Sequence, residues 1–193
     1  MKVSNVEQWE VVARLLDQAA TNLGSHSPST FLSNPFDAIK TPNVTVYDYM
    51  KRLKKYTGCS ESCYILCFIY IDRLLLNRPS FTLSLKNIHR VVLLALVVAI
   101  KYLDDVYADN NVYAKIGGIS LSEFNMLEIE MIRLLDFDFY IDSQLYFEYL
   151  DKLHLHHQKL NEETMVYCGE KNIKPIRYSG SVASMSTIAS SEK

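Results

Sequence analysis

Residues 85–105 read LKNIHRVVLLALVVAIKYLDD, and inside that stretch Val91 to Ile100 is an unbroken run of ten apolar residues, with His89, Arg90 and Lys101 close by. A helix that is apolar all round has no solvated face, so other helices must surround it. The run is too short to cross a bilayer, which takes roughly 20 such residues. It predicts the central helix of an all-α domain folded in water.

Composition agrees. A chain of 193 residues that is 49% hydrophobic, with six Gly and five Pro, can bury one domain core. Its formal charge of -2 exerts no general pull on nucleic acid or an anionic membrane, so the expected partner is a protein. Lys2, Glu7, Glu10, Arg14 and Asp17 interrupt the first 23 residues, which is incompatible with the apolar region of a secretory signal. An intracellular protein of cytoplasm or nucleus is expected.

Cys59, Cys63 and Cys67 recur every fourth residue and share one face if a single helix holds them, while Cys168 lies far away. Zinc needs thiolates converging from a turn or from two elements and a fourth ligand, which nothing nearby supplies, so buried reduced cysteines are expected. His154, His156 and His157 read as the solvated end of a helix. Neither a metal nor a cofactor is expected.

Periodicity divides the chain into an N-terminal flanking helix within 1–24, a Ser/Thr/Pro-rich linker over 25–42, a compact box over 43–140, a C-terminal flanking helix over 141–160 and a mobile Ser-rich tail over 161–193. Trp9, Val12, Ala13 and Leu16 share the inner face of the first helix, and Phe31 and Phe36 are candidate anchors of the linker. In the box, Thr45 with Asp48 forms a capping box for a helix to residue 57. Ser60 opens a second helix that Pro79 stops, and Ser84 caps the central one. Gly117 and Gly118 can take the left-handed conformation that ends a short helix, and Ser120 with Glu123 starts the next, which runs to about Phe137.

Four segments then carry a resemblance. DYMKRLKKY, YIDRLLLN, SLKNIHRVVLLALVVAIKYLDD and YAKIGGISLSEFNMLEIEMIRLLDFDF, in this order and spacing, resemble the cyclin box of P/U-type cyclins, the group that includes the phosphate-pathway cyclins of fungi and their plant and protist relatives. The resemblance spans roughly Phe36 to Leu150. It implies a five-helix cyclin box and a non-catalytic regulatory subunit, acting in cell-cycle or phosphate signalling, that binds a cyclin-dependent kinase catalytic subunit and holds its regulatory helix active.

Cyclins usually anchor that contact with a lysine late in the third box helix and a glutamate in the fifth. The matching residues are Lys101 and Glu128, and both sit beside so much apolar sequence that each needs a partner. The alternative is that Lys101 complements its own helix terminus and that Glu128 pairs inside the domain, with Arg133 or with Lys101. Tyr102 and Phe137 match aromatic positions of the kinase-facing surface, with ordinary core packing as their alternative. Asp104 and Asp105 either meet arginines of the kinase or form a loop that stays in water.

One departure concerns substrate docking. Mitotic cyclins carry an arginine about five residues before the first-helix aspartate, where this chain has Asn43. That removes the usual ion-pair partner of Asp72 in YIDR, leaving Arg73 or a backbone donor, and, with Thr45 and Val46 following where the apolar docking residues lie, it argues against the docking patch. Lys51, Arg52, Lys54 and Lys55 form either a solvated face, a localisation signal or a patch for acidic ligands.

Two rival classes fit less of the sequence. A helical metal-dependent enzyme could place magnesium on Asp104, Asp105 and Asp109, but no second ligand motif faces them. A cyclin-fold nucleic-acid-binding or scaffold protein would want a broad basic face, and KRLKK alone qualifies.

Overall fold

A computed structural model describes residues 7–23 and 34–169, and among these residues the protein is all-α, with seven helices and no strand. They are α1 (Gln8–Leu23), α2 (Val46–Thr57), α3 (Ser62–Asn77), α4 (Ile88–Leu103), α5 (Asn110–Gly117), α6 (Leu121–Leu134) and α7 (Ser143–Gly169). Residues up to Ile141 form one compact unit, and α7 belongs to a second.

The apolar run of α4 is buried from Val91 through Ile100, and α2, α3, α5 and α6 all pack on it. This is the five-helix arrangement that a helix without a solvated face requires. α3 is nearly as enclosed, burying Cys63 through Asp72 and Leu74. α1 lays Trp9, Val12, Ala13 and Leu16 against α2 and α3. Phe36 is fully buried, whereas Phe31 lies outside the described residues.

Helix ends follow the sequence in part. Thr45 Oγ1 accepts the Asp48 amide at 3.0 Å, and Ser120 Oγ accepts that of Glu123 at 3.1 Å. Ser60 and Ser84 do something other than capping: each opens a turn, and the helices begin at Ser62 and Ile88. The Asn87 amide carbonyl instead accepts the Ser84 N–H at 2.8 Å, and Asn87 Nδ2 reaches Asp37 and the Thr82 carbonyl, each at 3.0 Å. Distant carboxylates serve other ends. Asp17 Oδ1 accepts the Val46 and Tyr47 amides at 2.8 and 3.3 Å, and Glu61 accepts the Trp9 amide at 3.2 Å. Both place negative charge at a helix N-terminus, where the dipole favours it.

α6 ends at Leu134, three residues before Phe137, because Asp136 and Phe137 take left-handed φ values of 53° and 58°. α7 begins after Asp142, whose Oδ1 accepts the Leu145 amide at 2.8 Å, and continues to Gly169, past Leu160 where the apolar periodicity fades. Residues 161–168 contain neither Gly nor Pro, so nothing in the backbone stops the helix sooner.

His89 is a buried polar group inside α4. Its Nε2 lies 2.9 Å from the Val44 carbonyl, its ring meets Tyr49 edge-on at 5.1 Å, and Nδ1 is buried without a partner. Burial pushes its pKa below the ordinary 6.5, against the opposing pull of the Val44 carbonyl. The unfolded chain therefore takes up a proton near pH 6.5 while the folded one does not, so stability is full above that pH and declines as pH falls through and below it. Melting temperature should drop more steeply between pH 7.5 and 5.5 for the wild type than for His89→Gln; equal slopes would assign the acid sensitivity to other groups.

Candidate functional site

Three helices meet in a polar cluster at the end of α4. Lys101 Nζ donates to Glu128 Oε1 and to Asn110 Oδ1, both at 2.6 Å. Asn110 Nδ2 donates to Glu128 Oε2 at 2.9 Å and to Asn125 Oδ1 at 2.8 Å. Each is placed by its own helix. Lys101 lies in the last turn of α4, Asn110 opens α5 beside the N-cap Asp109, and Glu128 and Asn125 share a face of α6 three residues apart.

Glu128 retains 12% of its side-chain surface and Lys101 27%, so the pair is largely withdrawn from water yet still open on one side. Both carboxylate oxygens have a donor, which is what a charge at that depth demands. Glu128 thus pairs with Lys101, while Arg133 lies against Glu130 at 3.9 Å.

Apolar side chains stand exposed on the same elements. They include Tyr102 and Leu103 at the end of α4, Val106 and Tyr107 in the loop beyond it, Ile129 on α6, and Phe137 and Tyr140 after it. Tyr102 packs obliquely on Phe139, with ring centroids 6.3 Å apart, and keeps about half its surface free. Phe137 is 68% exposed. Phe137 thus lies outside the core, while Tyr102 is half packed against Phe139. Apolar groups held in water around a satisfied charge pair are the ingredients of a protein-docking surface, where anchors at the centre carry much of the energy.

The other candidate residues separate. Asp104 accepts the Ser60 amide at 3.1 Å, and Asp105 is exposed to solvent. Within KRLKK, Lys54 pairs with Glu61, and Arg52 donates to the Lys115 carbonyl at 3.3 Å, helping to close the C-terminus of α5. Lys51 and Lys55 remain exposed, with Lys55 over the Tyr56 ring. Half of the run therefore serves the fold. Asp109 accepts the Val112 amide at 3.0 Å, and among the described residues no group of three or more His, Cys, Asp or Glu converges to hold a metal. Cys59, Cys63 and Cys67 are free and buried, and burial pushes the Cys67 thiol up.

The sequence reading missed Asn110, Asn125 and Ile129. Ile129 was within reach, because it lies off the stripe formed by Phe124, Leu127 and Met131 that faces the core. The two asparagines leave no periodic signal. At the mitotic docking position, Asn43 is exposed while Val46 and Tyr49 are buried. Asp72 is buried as well, and its neighbour Arg73 pairs with Asp138 at 3.0 Å.

The sequence model of the family described as Cyclin matches residues 6–139, a range that takes in α1 as well as the box helices. The chain belongs to the cyclin family. It is 38% identical to Cyclin-U4-1 of Arabidopsis thaliana over 120 residues, covering 61% of this chain and 59% of that protein. Cyclin-U1-1 of the same plant is 32% identical over 149 residues, 77% of this chain and 69% of the relative. Cyclin-P4-1 of Oryza sativa subsp. japonica is 32% identical over 114 residues, 59% of this chain and 54% of the relative. The chain thus spans little more than half the length of several relatives it matches. Among the described residues no helix is long and apolar enough to cross a membrane.

Proposed function

We propose that this cyclin is a regulatory subunit that binds a cyclin-dependent kinase and holds the kinase's regulatory helix in its active position, the kinase supplying the chemistry. The observation that carries the reading is the Lys101–Glu128 pair, already satisfied, with Tyr102 and Ile129 exposed next to its members in the chain and Phe137 exposed just after α6. Lys101 and Glu128 would give a polar fix to the partner's backbone, and the aromatic side chains would give it apolar area. Asp105 is the acidic group free to meet a basic kinase segment. The direct test is co-purification with candidate cyclin-dependent kinases and a histone-type kinase assay. No kinase retained and no gain in phosphotransfer would refute the proposal. A nucleic-acid role is less favoured, since Arg52 and Lys54 are engaged within the fold.

Substrate choice should not use the first-helix docking patch of mitotic cyclins. Thr45 and Val46 lie where the apolar docking residues are expected; Thr45 is polar and caps α2, Val46 is 2% exposed and Tyr49 6%, so a peptide finds no apolar floor to grip. An arginine-x-leucine peptide should leave phosphorylation by the reconstituted complex unchanged. Strong inhibition, lost on changing Val46 or Tyr49, would show a working patch.

A further inference from the structure

Residues 136–140, DFDFY, form a strap that leaves the end of α6 in a conformation side chains rarely adopt, with Asp136 and Phe137 both left-handed. Local hydrogen bonds hold its start: Phe137 N–H to the Ile132 carbonyl at 3.1 Å and Asp138 N–H to that of Leu135 at 2.9 Å. The rest is held by α3 and the residue that caps it. Tyr70 Oη donates to the Phe139 carbonyl at 2.9 Å, and Arg73 donates to the carbonyls of Asp138 at 2.6 Å and Tyr140 at 3.3 Å. Arg73 also pairs with the Asp138 carboxylate at 3.0 Å, and Arg78 pairs with Asp136.

Three successive carbonyls of an exposed segment are thus fixed by side chains, although water could have satisfied them. Ring contacts reinforce the hold, with Phe139 lying 6.2 Å from Tyr70 and 6.3 Å from Tyr102. The product of this ordering is that Phe137 and Tyr140 stand 68% and 69% exposed. Strain that leaves an aromatic ring in water brings the fold no burial, and backbone strain of this kind is maintained where a site needs it.

We infer that Tyr70, Arg73 and Arg78 are positioning residues that lock the 136–140 strap so that Phe137 is presented, already ordered, to the kinase. The inference rests on the kinase-binding reading above. A ring fixed before encounter loses less freedom on binding, so its burial contributes more to affinity.

A double-mutant cycle on the full chain with the kinase subunit, recording affinity and melting temperature, tests this. Arg73→Ala should weaken kinase binding by about tenfold, within the range of coupled neighbours. In a Phe137→Ala background the same change should cost less than about twofold, because the group being positioned is gone. A purely structural role would lower the melting temperature equally in both backgrounds and leave the affinity losses additive. Additive losses, or no loss, overturn the inference while wild-type binding upholds the kinase reading; a wild type that binds no kinase overturns both. Should Arg73→Ala fail to fold, Arg78→Ala at the more exposed pair reads the same coupling.

Discussion

Glu128→Ala and Lys101→Ala should each cost about 2 to 5 kcal/mol of kinase affinity, the usual effect of truncating one member of a desolvated polar contact. The geometry of the free protein says why the loss should appear in binding more than in folding. Lys101 Nζ has Asn110 as a second acceptor and keeps about a quarter of its surface in water, so removal of Glu128 leaves it a hydrogen bond and solvent. A bound kinase removes that solvent, and the unmatched charge then becomes costly. Glu128→Gln keeps an acceptor for Lys101 and should fall between wild type and alanine. Asn110→Ala, which strips the donor from Glu128 Oε2, should weaken binding in the same direction by a smaller amount. The measurements are kinase dissociation constants beside melting curves for all four variants. Unchanged affinity in both Lys101→Ala and Glu128→Ala would return the pair to a role within the domain.

Fold and site were legible in the sequence to different depths. The central helix was legible because the run from Val91 to Ile100 permits no orientation with a wet face, and every one of those residues is buried. Local capping was legible at Thr45 and Ser120, where donor and acceptor lie three residues apart. It failed at Ser60 and Ser84, where the same residue type opened a turn instead. The caps supplied by Asp17 and Glu61 come from 29 and 52 residues away, and no local pattern encodes them. The site divides in the same way. Lys101 and Glu128 were singled out by the resemblance, with their apolar surroundings in support, whereas Asn110 is an ordinary polar residue until α5 packs beside α6. The left-handed pair at Asp136 and Phe137 was hidden because neither residue is the glycine or asparagine that marks such turns.

Gly117→Ala should destabilise the protein even though it places a better helix former in α5, and the reason lies in the core. A Cβ at this position would come within 2.2 Å of Leu93 Cδ2, and Leu93 is fully buried in the central helix. Overpacking of this kind costs about 1 to 3 kcal/mol. The gain in helix propensity from Gly to Ala returns only about 1 kcal/mol. The net effect should be a loss on the order of 1 to 2 kcal/mol, and Gly117→Val should lose more, since its branched side chain has fewer rotamers with which to escape. Gly118 next to it provides the control. Its φ is 76° with open space around the missing Cβ, so Gly118→Asn should be mild, while Gly117→Asn should be severe. The clash can also be relieved from the other side, because Leu93→Ala removes the atom that Cβ meets. Combined with Gly117→Ala it should cost less than the sum of the two single changes. Kinase affinity should fall along with stability, since the Gly117 carbonyl accepts the Tyr49 hydroxyl at 3.2 Å and α5 carries Asn110 to Lys101. Denaturant midpoints for the six variants decide the matter. A Gly117→Ala protein as stable as wild type would mean that Leu93 has room to turn aside and that α5 is not held against the core at this point.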